Sequence, residues 1–404
     1  MHSSCQMPDP LAIAISGVAG SGKTTLGRAL AMRLGAPLVD LDSVTNPLLD
    51  ALPPETPGGH WLSSPHAAEI RAGRYAALRA VAADAVATAR AVVLVAPFTA
   101  ELAGGDEWRT LRAAVAPAEL RMVHLTGGAG LLAQRRAARG ELRDAHRPEG
   151  DFPAPTVPVI FVDAELSTEQ QLGRLLPELG LRHPLVMDSV LFERDFEAVL
   201  FDLDGTLVDS TASVIRSWWR FAERYDLPMQ TLHENHGQPA RTLISRLLPA
   251  DLHDEGLVHI TELEVMDAVG LRPVRGARAF FDTVPSARRA IVTSGSVPIA
   301  TARLAAAGFE RPEVLVTADD VTHGKPDPEP FLTAARRLGV DPARCLVVED
   351  AAAGIAAARA AGCSVLAVMG TAAADELDGD LIVDGLDRVR IIDAPGGLRL
   401  QPLG

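Results

Sequence analysis

The chain has 404 residues, of which 48% are hydrophobic and 22% charged, a composition that can fill the cores of two or three water-soluble domains. A formal net charge of −14 disfavours a nucleic-acid binder, and the three cysteines are too scattered for a disulfide framework or a zinc site. The first ten residues lack the order of a signal peptide and no apolar run reaches the roughly 18 residues of a membrane span, so we expect a cytoplasmic protein without nucleic-acid or membrane partners.

Short apolar strands alternate with amphipathic helices through residues 11–182. This alternation predicts a parallel sheet of five strands that is covered by helices on both faces. Helices are predicted over 22–34, 66–90, 107–117 and 129–145. The predicted strands are LAIAIS, PLVDLD, AVVLVA, LRMVHLT and VPVIFV. Residues 1–182 therefore form the first predicted domain.

The string GVAGSGKT, residues 17–24, matches the phosphate-binding loop pattern and lies between a predicted strand and a predicted helix. Its glycines let the backbone wrap closely around phosphate, and the backbone amides and the helix N-terminus donate hydrogen bonds. Lys23 would carry a compact cation to the β and γ phosphates, and Thr24 would hold Mg²⁺. The residues predicted to bind ATP here are Gly17, Gly20, Ser21, Gly22, Lys23, Thr24 and Thr25.

The second predicted strand ends in Asp40 and Asp42, where P-loop small-molecule kinases often keep an acidic residue that orients the acceptor hydroxyl or a water on Mg²⁺. Residues two apart on a strand share one side, so both carboxylates could face the site; alternatively, either could cap a helix or turn. The strand AVVLVAPF ends without acidic residues, at Ala96 and Pro97, which disfavours a motor or AAA-type ATPase.

Residues 134–147, QRRAARGELRDAHR, are rich in arginine. The segment resembles the mobile lid of gluconate-kinase-like and shikimate-kinase-like enzymes, in which guanidinium groups clamp the transferred phosphoryl group. Arg136, Arg139 and Arg143 are the candidates for this role, and a solvated helix face is the alternative. The resemblance covers about residues 11–180 and implies a kinase for a small molecule.

The alternation restarts after a predicted linker, residues 183–195. AVLFDLDGT predicts a strand, a helical block follows over about 211–270, and the later strands are RAIVTSG, VLVTADD, CLVVEDA and SVLAVMG. This order predicts a second α/β domain over residues 196–404 with a helical insertion at about 213–272. The predicted fold class is thus α/β, with two domains that each contain a doubly wound parallel sheet.

The string FDLDGTLVDS, residues 201–210, is the most specific in the chain. It resembles the first motif of the haloacid dehalogenase superfamily, and the other motifs follow in order at Thr293, at Lys325 and in LVVEDAAAG. Because parallel strands end at one edge of a sheet, these side chains should meet in one crevice. Hard carboxylate oxygens there select Mg²⁺. The residues predicted to hold it are Asp202, Asp204, Glu349 and Asp350.

The resemblance implies hydrolysis through an aspartyl-phosphate. Asp202 would attack phosphorus, and Asp204 would protonate the leaving alcohol and then activate water. The residues expected to contact the phosphoryl group are Thr293, Ser294, Gly295 and Lys325. The only two lysines of the chain, Lys23 and Lys325, thus occupy the two phosphate motifs, although lysines and arginines number 38 in total.

The helical insertion resembles the cap of sugar-phosphatase and β-phosphoglucomutase-like members of the superfamily. NHGQPARTL, residues 235–243, lies where such caps place their specificity loop. His236, Gln238 and Arg241 are therefore candidates for contacting the alcohol part of the substrate.

Together the resemblances favour a bifunctional enzyme that uses Mg²⁺ and ATP. One domain would phosphorylate a small hydroxylated metabolite, such as a sugar, polyol or cyclitol, and the other would hydrolyse a sugar or polyol phosphate. Alternatively, the first domain could sense ATP and regulate the phosphatase without phosphorylating an acceptor. A polynucleotide kinase-phosphatase is a third hypothesis, which the acidic charge and the expected cap disfavour.

Overall fold

The computed structural model describes residues 10–53, 61, 64–139, 154–227 and 240–403. The chain divides into two compact units, Met1–Leu179 and Gly180–Gly404. Each contains a parallel sheet, which confirms the predicted α/β fold class. Within these described residues, no helix combines the length and the apolar character that a membrane span needs.

Strands and helices alternate along the first unit, as predicted. Its elements are β1 (Leu11–Gly17), α1 (Lys23–Leu34), β2 (Leu38–Asp40), α2 (Leu41–Asp50), α3 (Ala67–Thr88), β3 (Ala91–Val95), α4 (Thr99–Leu102), α5 (Gly105–Ala114), β4 (Glu119–Thr126), α6 (Ala129–Arg139), β5 (Val159–Asp163) and α7 (Thr168–Glu178).

The sheet of the first unit has the order β2-β3-β1-β4-β5, and all its strands are parallel. Every residue of β1 is buried, so both faces of this central strand are covered. The register pairs Ile15 with Val95 of β3 and with Val123 of β4. The loop that follows β1 therefore starts at the middle of the edge where the strands end.

The second strand is shorter than the sequence predicts. It ends at Asp40, and Asp42 lies in the first turn of α2. The Asp40 carboxylate accepts hydrogen bonds from the backbone amides of Asp42 (2.9 Å) and Ser43 (3.3 Å), and this N-cap starts the helix. The interpretation that both aspartates share one side of a strand was therefore wrong.

The second unit repeats the alternation around a helical insertion. Its elements are β6 (Asp195–Phe196), β7 (Ala198–Phe201), α8 (Thr211–Arg224), α9 (Ala240–Leu247), α10 (His253–Met266), α11 (Ala277–Asp282), β8 (Arg289–Val292), α12 (Val297–Ala306), β9 (Val314–Val316), α13 (Glu329–Leu338), β10 (Cys345–Glu349), α14 (Ala352–Ala360), β11 (Ser364–Val368), β12 (Leu381–Val383), β13 (Val389–Ala394) and β14 (Gly397–Pro402).

The main sheet of this unit has the order β12-β11-β10-β7-β8-β9 and is parallel throughout. The strand that carries the first motif, β7, therefore lies between β10 and β8. A second, antiparallel sheet in the order β13-β14-β6 was not predicted. Helices α8, α9 and α10 lie between β7 and β8 in the chain and share their own apolar core, which includes Trp218, Phe221 and Ile260.

Residues 183–195, predicted as a linker, pack on the second unit. Leu191 is fully buried in the core of that unit. The Ser189 hydroxyl donates a hydrogen bond to the Asp380 carbonyl oxygen (3.2 Å), and the Arg194 guanidinium donates one to the Ser364 hydroxyl (2.9 Å). The segment is therefore a structural part of the second unit and not a free linker.

Replacement of Leu191 by alanine tests this assignment. Because the substitution leaves a cavity in a closed core, we expect the free energy of unfolding of the second unit to fall by about 2–5 kcal/mol. The control is Val190→Ala, since Val190 is 59% exposed and its truncation should change that free energy by less than about 0.5 kcal/mol. Urea unfolding curves measure both values, and equal effects would contradict the packing of the segment.

Candidate active sites

Three neighbouring strands of the second unit, β7, β8 and β10, end beside a cavity of about 790 Å³. Asp202 and Asp204 follow β7, Thr293 follows β8 and Asp350 follows β10. Because parallel strands end at the same edge of a sheet, the strand order alone brings these side chains together. Lys325 reaches the same cavity from the loop before α13.

Lys325 lies at the centre of this charged cluster and is only 5% exposed. Its Nζ donates hydrogen bonds to Asp202 Oδ1 (2.5 Å), Glu349 Oε1 (2.8 Å) and the Val292 carbonyl oxygen (3.1 Å). Burial by itself would lower the pKa of Lys325, but the charges of Asp202 and Glu349 outweigh burial and raise that pKa. The amine is therefore a cation at neutral pH.

Glu349 is a fixed support for this lysine. Its Oε2 atom accepts hydrogen bonds from the amides of Asp350 and Ala351, both at 2.8 Å, while Oε1 accepts from Lys325. A Cβ atom on Gly354 would lie 1.6 Å from Glu349 Oε1, a separation that no real side chain tolerates. Glycine at position 354 thus leaves the space that the carboxylate occupies.

The carboxylates of Asp202, Glu349 and Asp350 are buried, and one oxygen from each lies within 4.8 Å of the others. Burial raises the pKa of Asp202, and Lys325 opposes this shift. Burial and then the charge of Glu349 raise the pKa of Asp350 to about 7. A single ammonium offsets only part of this negative charge, so the donor set fits a hard divalent cation such as Mg²⁺.

The side chain of Asp204, predicted to join the metal ligands, lies outside that three-carboxylate group. Its Oδ1 accepts a hydrogen bond from the Ser210 hydroxyl (2.6 Å). Its Oδ2 accepts from the Thr293 hydroxyl (3.3 Å) and lies 2.7 Å from Arg303 Nη1. These three partners hold the carboxylate beside the metal candidates without adding it to them.

Arg303 and Glu264 also line the cavity, although neither belongs to a sequence motif. Arg303 lies on α12 and is 3% exposed, and its Nη2 lies 2.8 Å from Glu264 Oε2 on α10. Burial raises the pKa of Glu264, while Arg303 opposes the shift. The one signal in the sequence was that Arg303 is the only charged residue of VPIATARLAA.

The remaining predicted substrate contacts of this unit have different outcomes. Ser294 and Gly295 follow β8 and line the cavity, and the Gly295 amide donates a hydrogen bond to the Thr293 hydroxyl (3.0 Å). Arg241, in the first turn of α9, also lines it. His236 and Gln238 lie outside the described residues.

The phosphate-loop motif of the first unit has the backbone that its sequence requires. Gly20 and Gly22 have φ values of 84° and 87°, a region that favours glycine, and Gly17 also has a positive φ. Lys23 begins α1, with Nζ 3.4 Å from the Val18 carbonyl oxygen. The loop therefore turns sharply into the helix whose N-terminus the motif predicts as a phosphate site.

The two threonines after Lys23 differ in their surroundings. The Thr24 hydroxyl donates a hydrogen bond to Asp40 Oδ2 (3.1 Å), whereas Thr25 is exposed. The Ser21 side chain is buried in the loop. Asp40 thus links the predicted Mg²⁺ ligand Thr24 to the start of α2.

Helix α6 lies against the phosphate loop. The Cγ atom of Arg136 is 3.2 Å from the position that a Cβ atom of Gly20 would occupy, and Arg135 Nη1 is 3.8 Å from the equivalent position at Gly22. Arg139 is the last residue of the same helix. Arg143 lies outside the described residues. The structure therefore brings two of the arginines of the predicted lid to the loop.

Asp42 contacts an arginine that the sequence did not single out. Arg74 Nη2 lies 2.6 Å from Asp42 Oδ1, its Nε donates to the Thr45 hydroxyl (2.8 Å), and its guanidinium carbon lies 4.5 Å from the centre of the Trp61 ring. Alanine and arginine recur along α3, so the sequence of this helix does not distinguish Arg74 from its other arginines. Asp42 therefore belongs to a polar cluster at the start of α2.

Gly354→Ala tests the support that Glu349 gives to Lys325. The added methyl group must displace the Glu349 carboxylate, so we expect kcat/KM for phosphate ester hydrolysis to fall at least about tenfold while the chain still folds. Gly73→Ala is the control, because a Cβ there meets nothing within 4 Å. Steady-state kinetics with thermal unfolding would measure both variants, and unchanged kinetics in Gly354→Ala would contradict a rigid Glu349.

Comparison with known proteins agrees with this site. Residues 196–362 match the family model of haloacid dehalogenase-like hydrolases. Hexitol phosphatase A of Escherichia coli (strain K12) is 40% identical over 205 residues, which cover 49% of this chain and 95% of that protein. Glycerol-1-phosphate phosphohydrolase 1 of Saccharomyces cerevisiae is 33% identical over 213 residues, or 48% of this chain and 84% of that protein.

A hydrolase of known structure from Pseudomonas syringae is 27% identical, with a TM-score of 0.42, over 46% of this chain and 92% of that one. Residues 13–152 match a family model described as an AAA domain, which is P-loop kinase-like. The chain therefore belongs to the haloacid dehalogenase-like hydrolases and is a phosphatase that carries a P-loop kinase-like domain at its N-terminal side.

Proposed function

We propose that the second unit hydrolyses sugar or polyol phosphates through an aspartyl-phosphate, and that the first unit phosphorylates a small hydroxylated molecule with ATP. The observation that carries the phosphatase half is the position of Lys325, whose ammonium contacts both Asp202 and Glu349 at the floor of the cavity. A cation held against a buried carboxylate favours its ionised form and lets an anionic phosphoryl group approach it.

In the first step, an Asp202 oxygen attacks phosphorus and the ester P–O bond breaks. The electron pair of that bond goes to the alcohol oxygen, which takes a proton from Asp204. Lys325 balances negative charge on Asp202 and on the phosphoryl oxygens, while Thr293 and the amide of Ser294 contact those oxygens. The products of this step are the free alcohol and the aspartyl-phosphate.

In the second step, Asp204 is a carboxylate and takes a proton from water. The water oxygen attacks phosphorus, the bond between phosphorus and Asp202 breaks, and inorganic phosphate leaves. Asp202 returns as a carboxylate and Asp204 returns protonated. One side chain thus gives a proton in the first step and accepts one in the second.

Asp202 and Asp350 are the side chains that would hold Mg²⁺ in this site. The oxygens of Glu349 already accept hydrogen bonds from Lys325 and two amides, so Glu349 contributes mainly negative charge. When bound, the cation neutralises phosphoryl oxygens and orients the ester for attack. In the first unit, Thr24, whose hydroxyl contacts Asp40, would hold the Mg²⁺ that accompanies ATP.

The cavity supports a hydroxylated substrate of small size. Its volume of about 790 Å³ accommodates a sugar or polyol phosphate, and its wall from the inserted helices combines Trp219, Leu257 and Val258 with the polar groups of Arg241 and Glu262. These helices would act as the cap. The names of the similar enzymes, a hexitol phosphatase and a glycerol-1-phosphate phosphohydrolase, point to the same class.

Two observations support the kinase half. The phosphate loop has the required backbone, and Arg135 and Arg136 of α6 lie against it, where guanidinium groups would contact a transferred phosphoryl group. The cluster of Asp42, Arg74 and Trp61 offers hydrogen bonds and a ring surface for an acceptor. The acceptor would be a small hydroxylated molecule.

Asp202→Asn tests the nucleophile. The amide cannot form the aspartyl-phosphate, so we expect the hydrolysis of hexitol phosphates and of glycerol 1-phosphate to fall at least about 10³-fold, with ATP binding unchanged. Phosphate release from a panel of sugar and polyol phosphates would be measured. The control is Asp393→Asn, the same chemical change at an exposed position outside the motifs and the cavity-lining residues. Full activity in Asp202→Asn would rule out Asp202 as nucleophile.

The same variant tests the kinase, because its phosphatase can no longer remove a product. Asp202→Asn would be incubated with MgATP and a panel of sugars, cyclitols, polyols and nucleosides, and mass spectrometry would detect an acceptor that gains one phosphate. We expect one such acceptor. The gain should disappear in Asp202→Asn/Lys23→Ala, since the cation for the β and γ phosphates is lost.

ATP binding without any labelled acceptor would contradict the kinase proposal and favour the ATP-sensing alternative. In that case ATP should change the phosphatase rate of the unmodified chain, and Lys23→Ala should remove the change.

A further inference from the structure

A continuous line of charged contacts joins the inserted helices to Asp204. Glu264 on α10 lies 2.8 Å from Arg303 Nη2, and Arg303 Nη1 lies 2.7 Å from Asp204 Oδ2. The guanidinium is thus held between two carboxylates, one from the insertion and one from the loop after β7. Burial raises the pKa of Glu264, and its neighbours Arg303 and Trp218 of α8 oppose that shift.

We propose that Arg303 is a positioning residue that aims the carboxylate of Asp204 and fixes it relative to the inserted helices through Glu264. This inference rests on the proposed phosphatase mechanism, in which Asp204 transfers the proton to the leaving alcohol. Arg303 acts through Asp204 and takes no part in bond making itself.

Burial distinguishes this contact from a surface ion pair. The side chains of Arg303 and Glu264 are 3% and 8% exposed, so water cannot replace either partner. A buried guanidinium needs a counter-charge and partners for its terminal nitrogens, and Arg303 has both only while Asp204 and Glu264 stay where they are. Burying this pair therefore costs the desolvation free energy of two charges. A contribution to stability alone does not explain that cost.

The geometry of arginine explains how one side chain can fix another. The two terminal nitrogens of a guanidinium lie in one rigid plane, so the direction towards Glu264 sets the direction towards Asp204. The other two partners of Asp204, Ser210 and Thr293, are hydroxyls that rotate freely about their C–O bonds. Arg303 is thus the partner of Asp204 with the strictest directional requirement.

The leaving group gives a readout that a loss of folding would not move. An alkyl phosphate releases a strongly basic alkoxide and needs the proton from Asp204, whereas 4-nitrophenyl phosphate releases a stable phenolate and needs it little. A variant that misplaces Asp204 should therefore slow the first step selectively for alkyl esters, whereas the second step, hydrolysis of the shared aspartyl-phosphate, should slow equally for both esters. Asp204→Asn removes the acid completely, so the ratio of its losses on the two esters is the reference for the Arg303 variants.

The test compares Arg303→Met with Asp204→Asn on glycerol 1-phosphate and on 4-nitrophenyl phosphate, with the full chain and Mg²⁺. The rate of leaving-group release in the first turnover is measured by rapid mixing, because this rate excludes the second step. In Arg303→Met we expect this rate to fall about 10²-fold on the alkyl ester and less than about fivefold on the aryl ester, with the half-saturating concentration of each ester within about threefold. Arg303→Lys keeps the cation without the planar fork and should recover part of the loss on the alkyl ester.

Two controls keep the inference falsifiable. Arg220→Met removes an arginine of α8 that is half exposed and pairs with Asp267, and it should leave both substrates unaffected. Arg303→Met/Glu264→Gln removes both charges of the buried pair and avoids an unpaired carboxylate, so a chain that unfolds as the single variant can still be measured. This double variant should show the same selectivity for the alkyl ester.

Equal losses of the first-turnover rate on both esters in a folded Arg303→Met/Glu264→Gln chain would overturn the proposal. A large rise in the half-saturating ester concentration with that rate unchanged would also overturn it, because it would place Arg303 on the substrate. If Asp204→Asn slows leaving-group release in the first turnover equally for both esters, the acid role of Asp204 fails and the proposed mechanism fails with it. If Asp204→Asn loses the alkyl ester selectively but the Arg303 variants do not, the inference about Arg303 is overturned and the proposed mechanism is not.

Discussion

The phosphatase site depends on one ammonium group placed among buried carboxylates. Lys325 is the group that makes it possible to bury Asp202, Glu349 and Asp350 within 4.8 Å of one another, since like charges at this distance cannot all remain ionised without a counter-charge. It also explains why position 325 is a lysine, although arginine is the basic residue that the chain uses almost everywhere else. A planar guanidinium would be too wide to donate simultaneously to Asp202, Glu349 and the carbonyl group of Val292.

Much of this arrangement could be predicted from the sequence because it follows from strand order. The motifs at Asp202, Thr293 and Glu349 each come directly after a short apolar run, and a parallel sheet brings the ends of such runs to one edge. The phosphate loop was predicted for the same reason, since its glycines and its lysine lie between a strand and a helix. In both units the short sequence motif and the order of the strands predict the same position for the site.

The parts that were missed depend on side chains that meet through tertiary packing. Asp42 lies on a helix because the Asp40 carboxylate caps that helix, and a three-residue strand carries too little periodicity to reveal where it ends. Arg303 and Glu264 are 39 residues apart and belong to different helices, so no spacing rule joins them. The small antiparallel sheet includes a strand of two residues, which is too short to show any alternation.

The packing of residues 183–195 has a practical consequence for dissecting the chain. The match to the hydrolase family begins at residue 196, and a fragment cut there would seem natural. Such a fragment would lack Leu191 from its core, and Asp384 would lose the guanidinium of Arg182, which donates to it from just before the segment. A fragment that begins at Gly180 retains both contacts. The compact unit that contains the hydrolase thus begins at Gly180, 16 residues (196 − 180) before the residue at which the family match begins.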